Sequence, residues 1–392
     1  MTHPCVLPGI QAIEAEMISL RQHLHAHPEL SFEEFATSDL VASKLQAWGF
    51  EVHRGMAGTG VVGRLRLGSS DKVIGLRADM DALPIIEQTG LPYASRNEGV
   101  MHACGHDGHT AILLAAAKHL AQRGEFDGSV VLIFQPAEEG DGGARRMLED
   151  GLFEQFPCDA VFAMHNMPGL PVGKFGFLAG PFMASTDTVT ISVRGVGGHG
   201  AMPHKAVDTV LVGSAIVMAL QSIVSRNVDP LDCAVVSVGS IHAGIAPNVL
   251  PDTCELQLSV RALKPAVRDL LIERISAVAQ AQAASYGATV TVQVDESQRF
   301  PALINDVDST AFARQVAQQW LGDEGLISDM TPLTGSEDFA VMLEHCPGCY
   351  LVIGNGDGEG GCMVHNPGYD FNDDCLALGA SYWVRLVQTF LA

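Results

Sequence analysis

The hydrophobic pattern of this chain changes character twice, and those changes constrain its fold more than any other feature. Before Ser185 the strand-like segments are compact apolar runs, at residues 73–77 (VIGLR), 130–134 (VVLIF) and 160–164 (AVFAM). Such runs suit strands buried on both faces. They alternate with helix-like stretches at 110–122 and 143–149. Strand then helix, repeated, predicts an α/β sheet with helices on its faces. From Ser185 onward the strands alternate apolar and polar residues, as in 188–194 (TVTISVR) and 289–294 (TVTVQV), the mark of a half-buried strand. Helices are expected at 207–224 and 267–285, with strands near 234–240 and 254–261 between them. The order β-α-β-β-α-β is that of a split, ferredoxin-like sandwich. After Arg299-Phe300-Pro301 the helical and compact-strand segments resume. The expectation is a discontinuous α/β domain over residues 1–184 and 299–392, interrupted by an inserted α+β domain over 185–298. A length of 392 residues agrees with two domains.

Composition excludes some function classes. With 45 Asp and Glu against 23 Lys and Arg, the formal charge is -22, a field that disfavours nucleic acid and anionic membrane partners. No secretory signal is visible at Met1-Thr2-His3-Pro4-Cys5, and apolar runs such as 111–117 are far too short to span a bilayer. Nine scattered cysteines do not form a disulfide framework in so long a chain. A reducing cytoplasm is the expected location.

Four polar clusters carry the chemistry. Residues 101–109 (MHACGHDGH) place Cys104, His106 and His109 immediately ahead of an apolar helix. Thiolate and imidazole are preferred by zinc-like ions, although a histidine at a helix start can also simply pack there. Residues 135–140 (QPAEEG) follow the VVLIF strand, where α/β proteins gather their sites. Neighbours in an extended segment point in different directions. One of Glu138 and Glu139 can therefore face a metal while the other faces water; a solvated acidic turn is the plain alternative. His165-Asn166 and His365-Asn366 complete the set at two further strand-to-loop junctions. Jointly, the four clusters point to a metal site.

These residues resemble the co-catalytic metallohydrolase family that includes aminoacylase, carboxypeptidase G and succinyl-diaminopimelate desuccinylase. They are most similar to its branch of hippurate hydrolases, N-acyl-amino-acid amidohydrolases and indole-acetyl-amino-acid hydrolases. The matching stretches are LRADMDALPIIE (76–87), MHACGHDGHTA (101–111), FQPAEEGDGGARRML (134–148), MHNMPGLPVG (164–173), GGHGAMPH (197–204), NVLPD (248–252), GSEDFA (335–340) and HNPGYDFND (365–373). The resemblance implies a mixed-sheet, zinc-peptidase-like catalytic domain with a ferredoxin-like lid and dimerisation domain inserted into it. It implies Cys104, His106, Glu139, His165 and His365 as ligands of two divalent ions, which could be zinc, manganese, nickel or cobalt. Glu138 is implied as general base and Asp79 as a carboxylate orienting a ligand. His199 is implied to reach across a homodimer to the substrate carbonyl, with Asn248 and Arg261 as partners of the substrate carboxylate. One position departs from the wider family: Arg77 stands where a metal-binding histidine is usual, and arginine cannot ligate. Cys104 is expected to make up the ligand count.

The implied activity is hydrolysis of an N-acyl amino acid to a carboxylate and a free amino acid. A dipeptidase or carboxypeptidase is the alternative within the class. A metal-free cysteine hydrolase using Cys104 as nucleophile and a non-catalytic binding protein are the alternatives outside it. Lesser features have plainer readings. Cys346 and Cys349 have redox-type spacing but do not open a thioredoxin-like unit, so they are taken as structural. The glycine-rich stretch 354–361 lacks the Lys-Ser/Thr of a phosphate loop and is expected to rim the site near His365. His23, His25 and His27 are expected at the surface of an N-terminal helix, and HPEL (27–30) matches the branch without a mechanism.

Overall fold

The computed structural model describes residues 6–356 and 362–392. The readings made for Met1–Cys5 and for most of the glycine-rich stretch therefore lie outside the described residues. The chain divides into two compact units: Met1–Gly180 with Ile304–Thr331 and Asp338–Ala392, and Pro181–Leu303 with Pro332–Glu337.

The first unit is built on a seven-stranded mixed sheet. Its strands lie in the order Glu51–Met56, Gly60–Leu67, Gly128–Gln135, Val73–Asp79, Ala160–Pro168, Gly348–Gly356 and Phe175–Gly176. The four strands from Gly128–Gln135 to Gly348–Gly356 run parallel, and antiparallel strands flank them on both sides. The compact apolar runs are these parallel strands; Ile74, Leu76, Leu132 and Phe162 are fully buried, as strands covered by helices on both faces require. The helix His106–Arg123 is buried over nearly its whole first half. The helix Asp374–Phe390 packs closely on it: a Cβ on Gly379 would press on Ile112. The helix starts at His106, four residues before the periodicity suggests, because Gly105 takes a left-handed φ of 93° and redirects the chain. The strand expected at 160–164 runs on to Pro168, so His165 and Asn166 are part of it.

The second unit holds a four-stranded antiparallel sheet in the order Ala234–His242, Thr253–Ala262, Ser185–Arg194 and Thr289–Val294. Burial along Ser185–Arg194 alternates residue by residue, matching the period-two pattern. The helices Thr209–Asn227 and Pro265–Ser285 cover one face. Ile216, Leu220, Leu271 and Ile275 pack with Ile191, Leu256 and Leu258 in a core of this unit's own. The helix Thr209–Asn227 is long and apolar enough, by length and composition, to cross a bilayer. Here its apolar residues Val212, Ile216, Leu220 and Ile223 are the buried face of a helix on a sheet. Asp208 caps it by accepting the Val210 and Leu211 N–H groups.

Candidate metal centre

The parallel strands of the first unit end side by side, and their last residues carry the polar clusters. Asp79 closes one strand, Gln135 closes its neighbour and leads into Glu138 and Glu139, and His165 lies in the next. His106 opens the helix that follows the Asp79 strand. His365 follows the Gly348–Gly356 strand in sequence and is anchored by its N–H donating to Ala103 O at 2.7 Å. Two of these positions hold left-handed backbone without glycine, Ala137 at φ 52° and His365 at φ 65°. Conformations of this kind cost energy and collect at functional sites.

The five residues implied as ligands come together. Cys104, His106 and His165 form one group whose donor atoms all lie within 4.8 Å of one another, and Cys104, Glu139 and His365 form a second. Cys104 is common to both. Glu138 joins His106 and Glu139 in a third such group, its Oε2 lying 4.0 Å from His106 Nε2. Cys104, His106 and Glu138 are buried, Glu139 and His165 are nearly so, and His365 stands at the solvent side.

Hydrogen bonds set the imidazoles to ligate. His106 Nδ1 donates to Asp81 O at 2.9 Å, which leaves a lone pair on Nε2. His165 Nδ1 likewise donates to Asn166 O at 2.6 Å, and its Nε2 sits 3.3 Å from Cys104 Sγ. His106 Nε2 and Glu139 Oε1 are buried without a hydrogen-bond partner. Orphaned buried polar atoms are rare, and a lone pair and a carboxylate oxygen orphaned together fit a cation. Sulfur, imidazole and carboxylate donors suit a divalent transition ion.

The electrostatics agree. Burial opposes charge on His106, but Asp79, Asp81 and Glu139 outweigh it and raise its pKa to about 10. The site thus has a negative field that draws a proton when no cation answers it. Burial, with Glu139, Glu138 and Asp79 adding to it, pushes the Cys104 thiol well up, so a thiolate there calls for neighbouring positive charge. Burial and His109 hold His165 well below the ordinary histidine value, in the neutral form a ligand needs.

Several residues that sequence reasoning left without a role support this arrangement. Arg77 is buried and donates to Asp79 Oδ2 at 2.6 Å and to Gln135 Oε1 at 2.8 Å. It therefore pairs with the Asp79 carboxylate and favours its ionised form. Burial opposes ionisation of Asp79, but Arg77, His106 and His109 hold its pKa well below the carboxylate range. His109 bridges Asp79 to the next strand: Nδ1 donates to Asp79 Oδ1 at 2.6 Å and Nε2 lies 2.7 Å from Asn166 Oδ1. Asp81 accepts from the Glu139 N–H at 3.0 Å besides holding His106. Glu34, buried and with its pKa pushed up by burial to about 7, accepts the Ala137 N–H at 2.9 Å and the Thr59 hydroxyl at 2.5 Å. It fixes the left-handed turn two residues before Glu139. Asp81 and His109 lie inside the quoted motifs, so a signal for them existed; Glu34 gave none.

The remaining site residues lie in the second unit. His199 pairs with Val249 in a two-stranded ladder, and the Gly200 N–H donates to Asn248 O at 2.9 Å, so His199 and Asn248 are neighbours. His199 Nδ1 accepts the Ala201 N–H at 3.0 Å, which puts the imidazole proton on Nε2. His199 and Asn248 are exposed. Arg261 lies on the strand Thr253–Ala262 and donates to Ser336 Oγ at 2.8 Å.

One expectation is corrected. His25 is not a surface residue: it is fully buried, with Nδ1 2.8 Å from Asp107 Oδ2, and only His23 and His27 of the trio reach solvent. It lies on the same helix face as Arg21, one turn earlier, beside Leu20 and Leu24. Cys346 and Cys349 are buried free thiols at the start of a core strand.

Known proteins resemble this chain in sequence and in architecture. Residues 75–389 match the peptidase family M20/M25/M40. The chain is 45% identical over 386 residues to a hippurate hydrolase of Campylobacter jejuni, covering 98% of this chain and 99% of that protein. It is 39% identical over 377 residues to an N-acetyl-L-cysteine deacetylase of Bacillus subtilis, covering 96% and 88%. The crystal structure of the Bacillus subtilis YXEP protein, a dinuclear metal-binding peptidase of the M20 family, superposes with a TM-score of 0.83 at 34% identity, covering 97% and 99%. Matched along nearly its whole length in sequence and in fold, the chain belongs to peptidase family M20/M25/M40.

Proposed function

We propose that the chain is a metal-dependent amidohydrolase that cleaves the amide bond of N-acyl amino acids to a carboxylate and a free amino acid. One observation carries this reading: two donor triads share Cys104, enclose the orphaned His106 Nε2 and Glu139 Oε1, and stand beside the Glu138 carboxylate. Relatives that hydrolyse hippurate or deacetylate N-acetyl-L-cysteine support the substrate class.

Cys104, His106, Glu139, His165 and His365 would hold two divalent cations. When bound, such ions polarise the amide carbonyl and bring the pKa of water toward neutrality. Glu138 takes a proton from the attacking water as its oxygen bonds to the carbonyl carbon. The same carboxyl then delivers that proton to the amide nitrogen as the C–N bond breaks, so one group serves as base and then acid. Asp79, kept ionised by Arg77 and His109, holds the negative field around His106. His199 is read as reaching across the homodimer to offer its Nε2–H to the developing oxyanion, a donor strongest where charge accumulates. Asn248 and Arg261 receive the substrate carboxylate. Zinc, manganese, nickel and cobalt all suit the mixed donor set.

A panel of N-acetyl and N-benzoyl amino acids against dipeptides tests the substrate class. We expect kcat/KM to favour the N-acyl compounds at least about tenfold, within the range a pocket wall achieves. Faster cleavage of dipeptides would replace this reading with a dipeptidase. The chain is further read as a homodimer joined through the second unit. Val210, Leu211 and Met218 leave an apolar strip exposed on the helix Thr209–Asn227, a feature typical of interfaces. Sedimentation equilibrium should return twice the chain mass, and a monomer at micromolar concentration would refute the assembly.

A further inference from the structure

A buried ionic cluster outside the donor set ties together the segments that carry His106 and His365. The guanidinium of Arg21, on the helix Glu14–Ala26, is fully buried. Nη1 donates to Asp370 Oδ1 at 2.8 Å and lies 3.5 Å from Asp107 Oδ2, and Nε donates to Asp373 Oδ1 at 2.8 Å. Gln22 adds a bond to Asp373 Oδ2 at 3.0 Å. His25 holds Asp107 from the same helix face. The Arg21 guanidinium also stacks 4.7 Å from the Tyr93 ring, and the Tyr93 hydroxyl donates to Asp370 Oδ2 at 2.7 Å.

These contacts share a geometric logic. Asp107 is the residue after His106, and Asp370 and Asp373 lie five and eight residues after His365. Between them, Tyr369 accepts the Asn166 side-chain N–H at 2.5 Å, and Asn166 follows His165. A Cβ on Gly105 would collide with both Asn166 and Tyr369, so this junction closes only around glycine. His365 itself is exposed and strained, with the Ala103 bond as its local anchor. Its place relative to His106 therefore depends on what holds residues 366–373.

We propose that Arg21 is a positioning residue for the metal centre, clamping the His365 segment to the start of the His106 helix so that the two donor triads keep their spacing. The inference rests on the metal-centre reading above. It gives a task to an N-terminal helix that precedes the family-matched residues 75–389. A planar fork meeting carboxylates from two segments suits arginine and not lysine.

The test compares wild type with Arg21→Lys, and with Asp373→Asn as the milder variant should the first fail to fold. Each purified full-length protein, with folding checked by circular dichroism, is stripped and titrated with cobalt(II) and zinc(II). The readouts are affinity by chelator competition, the cobalt ligand-field spectrum, and kcat and KM at saturating cation. We expect affinity for the more weakly held ion to fall about 10–100-fold, as when groups behind metal ligands are removed. The cobalt spectrum should change in position or intensity, and kcat should fall while KM stays within about twofold. A folded variant with lower thermal stability but unchanged spectrum and affinity would show that Arg21 only stabilises the fold, and would overturn the proposal. If wild type binds no cation, the metal-centre reading fails and this inference with it. Binding by wild type with indifferent variants sinks this inference alone.

Discussion

Glu138→Gln is expected to lower kcat by about 10²–10⁴-fold, the usual span for losing a general acid-base group, while the protein keeps its metal. The amide keeps the shape of the carboxylate but can neither accept the proton of the attacking water nor return it to the departing amine. Glu138 is near His106 but belongs to neither Cys104-centred triad. Elemental analysis of the variant should therefore match wild type, and KM should move little. Loss of activity together with loss of metal would instead make Glu138 a ligand. Full turnover in the variant would remove it from the chemistry.

Chelation should abolish activity and lower stability together. Stripping the cations leaves His106 Nε2 and Glu139 Oε1 buried without hydrogen-bond partners, and it leaves the field of Asp79, Asp81 and Glu139 acting on His106 unanswered. A cation present at 100 times its dissociation constant stabilises the folded state by about 2.7 kcal/mol, which a melting curve with and without chelator resolves. Added zinc, manganese, nickel or cobalt should restore turnover to different extents and so rank the candidates. Activity that survived with no metal detectable would return Cys104 to consideration as a nucleophile. The structure argues against that alternative. A nucleophilic cysteine needs a depressed pKa, whereas burial and three carboxylates push the Cys104 thiol upward.

Much of the molecule was legible in the chain because hydrophobic period reports burial. Two-sided burial wrote compact runs into 73–77 and 130–134, and one-sided burial wrote alternation into 188–194 and 289–294. The donor cluster was legible because thiol, imidazole and carboxylate groups recur at strand ends. What stayed hidden depends on partners far away in sequence. His25 was expected at the surface and Arg21 drew no notice; Asp107 and, about 350 positions away, Asp370 and Asp373 account for an arginine with no exposed surface. Glu34 read as one acidic residue among many until the fold placed it under Ala137. The role of Arg77 was half visible. That it cannot bind metal follows from its chemistry, but that it links Asp79, two residues on along its own strand, to Gln135 on the neighbouring one required the fold.

The left-handed backbone at His365 has an evolutionary consequence. Among side chains that bind metals well, only histidine and aspartate visit that conformation at modest cost; cysteine and glutamate do not share the preference. Drift at this position is thus channelled along one route, from imidazole nitrogen to carboxylate oxygen, which leads from softer toward harder cations. A lineage that changed its metal supply could retune the exposed edge of the centre here while leaving the buried donors untouched.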